Sequence, residues 1–326
     1  MKMSSSVGVK TKIINTHILT GNNFSNCMQI NLKTTGKLLK TAFKEWWVKD
    51  PFKESAVIAF YAIFSMPGLL VVIITIAGHF FGTDIVNSHL TSQISSTMSA
   101  GTAKQVEEMI KIASESKNSI WETILSVITI LVGATGVFAQ FQKSLNTIWG
   151  VKADKSKSGI WSLIKVRLFS FGLIVAIAFI MMISFIVNTI LIAMGDWLSG
   201  NFSDSSLVII QVINFIISFL ITAVLFALMF KIFPDAKIKW SHIWLGSGVT
   251  TLLFFLGMYS LSLYFGQADP GSGYGAAGSI VLILLWVSYS SMIVFYGAEF
   301  THAYAVRQDG YISPDKNAVK QPKPKL

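Results

Sequence analysis

Charge is scarce in this chain. Its 326 residues include 16 Asp or Glu and 26 Lys or Arg, so 13% are charged, against about 25% in an ordinary soluble domain. One cysteine, Cys27, excludes a disulfide within the chain and any cysteine-based zinc site. The five histidines, His17, His79, His89, His242 and His302, show neither H-x-H nor H-E-x-x-H spacing, and there is no G-x-S-x-G nucleophile turn. The carboxylates Glu45, Asp50, Glu54, Asp154, Asp235, Asp309 and Asp315 are dispersed and mostly beside lysines, the pattern of a solvated surface. "GSGYGAAG" (271–278) follows an apolar helix rather than a strand, so it reads as a turn and not as a dinucleotide loop. These absences lead us to expect no enzyme, no catalytic or metal-ligating residues and no cofactor. What the chain has is apolar: 52% of its residues are hydrophobic and its mean hydropathy is +0.60. That is the composition of a membrane protein.

Six stretches are long enough to cross a hydrocarbon core, which takes about 20 helical residues. They lie at 56–81, 119–141, 168–194, 206–231, 241–266 and 277–303. The runs are continuous rather than alternating, which excludes a β-barrel. The expected fold is therefore all-α, a polytopic membrane bundle of six transmembrane helices. Residues 1–35 are expected to be a weakly ordered cytoplasmic segment without a secretory signal pattern. The membrane domain is expected over 36–306, with an interfacial helix near 36–54 and an outer loop at 83–118. The Pro- and Lys-rich tail, 307–326, reads as disordered.

Basic residues orient the bundle. Of the 26 Lys and Arg, only Lys104, Lys111 and Lys117 fall on one side of the six-span topology. The other 23 fall on the opposite side, which the positive-inside rule places in the cytoplasm with both termini. The same excess fits contact with anionic lipid at that face, and no motif calls for nucleic acid. In "KTAFKEWWVKDPFK" (40–53), Phe43, Trp46 and Trp47 share one helical face, as in an interfacial amphipathic helix. In the outer loop, Val106, Met109, Ile110 and Ala113 form one stripe, which reads as packing against the outer ends of the spans.

Polar groups at membrane depth are costly unless paired or wet, so they are the candidate functional positions. Asn188 and Gln211 fall at one level of the third and fourth spans, with Asn214 a little deeper. They fit either interhelical hydrogen bonding or an outward-facing polar cavity. Pro67, in "FSMPGLL", removes one backbone hydrogen bond from the first span and favours a kink. Glu299, in "FYGAEFTHAYA" (295–305), sits just inside the cytoplasmic boundary of the sixth span. Gly297 beside it allows a neighbouring helix to approach. Glu299 fits an anchoring ion pair with Lys143, Arg167 or Lys231, or else a coupling carboxylate.

Four segments carry a resemblance: "DPFKESAVIAFYAIFSMPGLL" (50–70), "GATGVFAQFQKSLNTIWGV" (133–151), "FPDAKIKWSHIWLGSGVTTLLFF" (233–255) and "GYGAAGSIVLILLWVSYSSMIVFYGAEF" (273–300). In this order they resemble the YihY/virulence factor BrkB family of bacterial inner-membrane proteins, over about 36–306. The resemblance implies six spans with cytoplasmic termini, as the charge count does, and a place in the bacterial cytoplasmic membrane. Family members have been labelled ribonucleases, serum-resistance factors and transporters, including for lipid. For this chain the expectation is transport or lipid handling, with a membrane scaffold or envelope-integrity protein as the alternative. Membrane lipids are the expected partners, and the substrate, protein partners and oligomeric state stay open.

Overall fold

The computed structural model describes residues 32–97, 100–115, 136–154, 205–268, 270–316 and 318–321. The expected third span and most of the second lie outside the described residues. The chain divides into residues 1–37 and 38–326. In the first unit only 32–37 are described, and they open helix α1 (Leu32–Val48). The second unit continues with α2 (Pro51–Phe81), α3 (Thr83–Thr97), α4 (Ala100–Glu115), α5 (136–148), α6 (Ser205–Ile232), α7 (Trp240–Ala268) and α8 (Gly278–Asp309). Among the described residues the architecture is all-α, apart from four strands of two or three residues and a 3-10 helix at Ser272–Ala277. Among the described residues, three helices are long and apolar enough to cross a membrane, the last 21 residues of α6 and all of α7 and α8.

The first junction differs from expectation. The interfacial helix ends at Val48 instead of reaching 54, and the next helix starts at Pro51, ahead of the expected 56. A proline disfavours helical geometry in the residue before it. Asp50 accordingly takes a left-handed conformation, φ 50°, which Asp tolerates better than most residues. Pro51 then occupies the first helical turn, where its missing N–H costs nothing. The α2 helix runs on through Pro67 to Gly82, whose φ of 90° closes it. In the expected outer loop the described residues 83–97 and 100–115 are helical, as α3 and α4. On the expected stripe Val106 is buried, and the side chains of Met109, Ile110 and Ala113 lie outside the description. The α4 helix meets the first turn of α8 where the Ser279 hydroxyl donates to Gln105 Oε1.

Helix α8 is central, packing along both α2 and α7, while α6 packs on the other side of α7. The α7–α8 crossing is built from reciprocal Gly and Thr positions. A Cβ added at Gly246 would overlap the Thr301 side chain, and one at Gly297 would overlap Thr250. Each threonine donates to the carbonyl of the glycine one turn earlier on its own helix, Thr250 to Gly246 and Thr301 to Gly297, both at 2.7 Å. The hydroxyls are thereby satisfied within their own helices, and the backbones approach closely, as small residues allow between membrane helices. Gly257, further along, faces Tyr289 and Ile293. Ile58, Leu145, Phe230, Ile243, Phe295 and Ala298, contributed by five helices, form the main core near the C-terminal end of α8. On α6 and α7, Phe215, Leu220, Leu252 and Leu256 are exposed, as on a lipid-facing surface.

The tail corrects a further expectation. Residues 307–326 read as disordered, yet β3 (Ser313–Pro314) pairs with β2 (Ala236–Lys237). Likewise β4 (Ala318–Lys320) pairs with β1 (Val151–Ala153). Asp315 N–H donates to Asp235 O and Gln321 N–H to Gly150 O, both at 2.8 Å. Composition signals the lack of an apolar core in this tail. It does not register the free backbone edges that the turns after α5 and α6 offer.

The α7–α8 crossing makes a prediction. Gly246→Val lowers stability by about 1–3 kcal/mol through overpacking. Gly248→Ala is neutral or stabilising by about 0.5–1 kcal/mol, because an added Cβ there meets nothing within 4 Å. Thermal unfolding of the detergent-solubilised variants checks both.

Candidate functional site

The α1–α2 break sets up the site. Trp46, Lys49, Pro51 and Glu54 reach it from the two sides of the break, Ser144 and Ile148 from α5, and Phe295 and Glu299 from α8; together they line a small, partly open cleft of about 30 Å³. Phe295 and Glu299 stand one helical turn apart on the same face of α8.

Glu299 is 1% exposed, and its Oε1 accepts from Lys49 Nζ at 2.5 Å. Lys49 Nζ also lies 3.4 Å from the carbonyl of Ile148, the end of α5. The second oxygen, Glu299 Oε2, is buried and has no hydrogen-bond partner among the described residues. The nearest cationic candidate besides Lys49 is His302 Nδ1, at 3.8 Å, beyond hydrogen-bond reach. The His302 ring packs edge-on against Trp149.

Glu54 is the second carboxylate of the cleft. Its Oε2 accepts from Gln140 Nε2 and from Ser144 Oγ, both at 2.6 Å. Both donors are neutral, so its charge is hydrogen-bonded without being neutralised by them. Trp46 anchors the rim by donating Nε1–H to Met292 O at 3.1 Å. Tyr296 OH donates to Leu39 O on α1.

The expected aromatic face of α1 divides. Trp46 turns in to α8, while Phe43 (51% exposed) and Trp47 (57%) stay outside. Trp47 packs edge-on against the exposed Phe52 of α2, ring centres 5.8 Å apart. Exposed aromatic rings next to polar groups are the pattern of headgroup depth.

Two further polar knots lie at the same end of the bundle. Asp235 accepts from Asn146 Nδ2 at 2.8 Å and returns its own N–H to Asn146 Oδ1 at 2.8 Å, with Gln142 Nε2 at 3.3 Å. Asp309 takes Lys239 Nζ at 2.7 Å and His242 Nε2 at 2.9 Å, tying the start of α7 to the end of α8.

The family model described as Virulence factor BrkB matches residues 42–322. The chain belongs to that family. A UPF0761 membrane protein of Saccharophagus degradans is 26% identical over 283 residues, 83% of this chain and 60% of the relative. One from Vibrio cholerae is 27% identical over 191 residues, 57% of this chain and 60% of the relative. Another, from Tolumonas auensis, is 32% identical over 75 residues, 23% of this chain and 25% of the relative. The first of these matches thus span about three-fifths of the relatives' own length. No solved structure matches the chain at a significant level. With helices able to span a bilayer, this BrkB-family chain is a membrane protein.

Of the sequence candidates whose side chains are described, Glu299 and Asn214, only Glu299 falls in the cleft. Its partner is Lys49. Lys143 is exposed, Lys231 donates to Ile238 O at 2.6 Å beneath the Trp240 ring, and Arg167 lies outside the described residues. Asn188 also lies outside them, and for Gln211 and Pro67 the helix is described but the side chain is not. Asn214 is half-buried on α6, away from the cleft lining. Sequence reasoning passed over Lys49 and treated Glu54 as solvated surface. The available signal was that Glu54, Gln140 and Ser144 all stand inside the quoted segments 50–70 and 133–151.

Removing one partner of a buried pair leaves the other charge stranded. Lys49→Met should cost roughly 3 kcal/mol, the low end for such pairs because Lys49 is 24% exposed. The double variant K49M/E299Q should recover most of that loss, as measured by chemical unfolding of the solubilised protein. A double-variant loss equal to the sum of the Lys49→Met and Glu299→Gln losses would show that the pair contributes no coupling.

Proposed function

We propose that this BrkB-family chain is a six-span protein of the bacterial cytoplasmic membrane, with both termini in the cytoplasm, that transports or handles a lipid or polar solute. The observation that carries the reading is the cleft itself. It gathers Lys49, Glu54 and Glu299 beside the exposed aromatic rings of Phe43, Trp47 and Phe52. A membrane protein tolerates buried ionisable groups chiefly where they serve a path, a coupling step or a ligand. Rings at headgroup depth give the cleft access to lipid from the side.

On the proposed orientation the cleft lies at the cytoplasmic boundary, where the basic excess meets anionic lipid. From Gly278 to Glu299 the helix rises about 32 Å, close to the full thickness of a hydrocarbon core. Glu299 then sits at a water-accessible edge and not at mid-membrane. In this reading the protein is not an enzyme and does not engage nucleic acid.

Reconstitution tests the proposal. Proteoliposomes holding headgroup-labelled phospholipids or polar solutes should exchange label faster than empty liposomes. Glu299→Gln, folded and inserted as the parent, should slow that exchange about tenfold, as expected for loss of a charge-assisted contact. Flat traces with every probe would instead favour a scaffold without transport activity.

A further inference from the structure

The cleft carries more cation-binding capacity than its own lysine uses. Two carboxyl groups, Glu54 and Glu299, share it with one amine, Lys49, so acidic groups outnumber basic ones in its lining. The donors recorded on Glu54, Gln140 and Ser144, are neutral. Glu299, 1% exposed, has no hydrogen-bond partner for Oε2 among the described residues. A buried carboxylate oxygen left unmade is costly, and a matching donor brings the largest gain where the charge is already desolvated.

The site also shows how it holds one ammonium. Lys49 Nζ is a primary ammonium, seated between Glu299 Oε1 and the Ile148 carbonyl, 2.5 and 3.4 Å away. Trp46 and Phe295 add aromatic walls, surfaces that attract cations. An anion would meet two carboxylates and a lysine already engaged. Among the described residues no three of His, Cys, Asp and Glu group closely enough to hold a metal ion.

We propose that this cleft binds a primary ammonium group through Glu299 and Glu54, with the headgroup of an aminophospholipid or a small free amine as its source. The exposed Phe43, Trp47 and Phe52 place the lipid source within reach of the rim. The inference deepens the lipid-handling reading and rests on it only for the physiological source, since binding is measured without transport.

The test uses the full chain in detergent with short-chain phosphatidylethanolamine as the probe, followed by intrinsic tryptophan fluorescence. Three comparison probes are the N-acetylated lipid, which has lost the charge, short-chain phosphatidylcholine, which has lost the N–H donors, and free ethanolamine. The ammonium lipid should bind at least about tenfold tighter than the N-acetylated lipid and phosphatidylcholine, the size of effect expected for a charge-assisted hydrogen bond. Glu54→Gln and Glu299→Gln should each remove that preference. Ethanolamine binding within about threefold of the lipid assigns the site to free amines, and weaker binding assigns it to the headgroup; both support an ammonium site. Equal affinity for all three lipids overturns the proposal without reference to a variant's folding. A preference that survives both substitutions places any ammonium site elsewhere and also overturns it. Ammonium binding with no exchange in liposomes would sustain this inference while removing the transport reading.

Discussion

The close approach of α7 and α8 is the constraint on which the rest of this end of the molecule depends. Gly246 and Gly297 leave room for the threonines of the opposite helix, and those threonines use their own helix carbonyls as acceptors. The contact therefore buries four polar groups without leaving a hydroxyl unsatisfied. It also fixes the rotation of α8 about its axis. Residues two apart on a helix are turned by about 200°, so once Gly297 faces α7, Phe295 and Glu299 must face the other way, toward α1, α2 and α5. The position of the buried carboxylate follows from a steric fact two residues away.

The second constraint is the proline at 51. By forcing Asp50 out of helical geometry it separates the interfacial helix from the helix that follows. Lys49 sits at that corner and points its ammonium at Glu299. An unbroken helix through 36–54 would have left the lysine on a continuous helical surface. The corner likewise lets one tryptophan, Trp46, turn inward while its neighbour Trp47 stays outside. A charge pair, an aromatic rim and a cleft thus share one backbone cause.

Around this corner the polar knots act as ties between elements distant in sequence. Asp235 joins the turn after α6 to α5, and Asp309 joins α8 to the start of α7. The tail strands then fill backbone edges on both turns. The opposite, exposed faces of α6 and α7 carry apolar side chains, consistent with lipid as their solvent. The cleft and these polar knots share one end of the bundle.

The membrane class, the helical architecture, the boundaries of α6 and α7 and the start of α8 were legible in the chain, because a continuous apolar run of about 20 residues has few other solutions; α8 runs on to Asp309, six residues past the expected end at 303. Family membership was legible too, through the four segments quoted, and Glu299 stood out because an ionisable group beside an apolar run is rare. Its partner was not legible. Lys49 is 250 positions away, and the local sequence of either residue holds no record of a meeting set by helix rotation and a corner. Glu54 was missed for the same reason, since a carboxylate next to Lys53 reads as surface until Gln140 and Ser144 are brought over it. The tail was misjudged because its order comes from edges supplied by other turns. Hydrophobic patterning, which acts locally, determined what the helices are. Only the tertiary structure decided which side chains meet, because that depends on how tightly Gly and Thr let two helices approach.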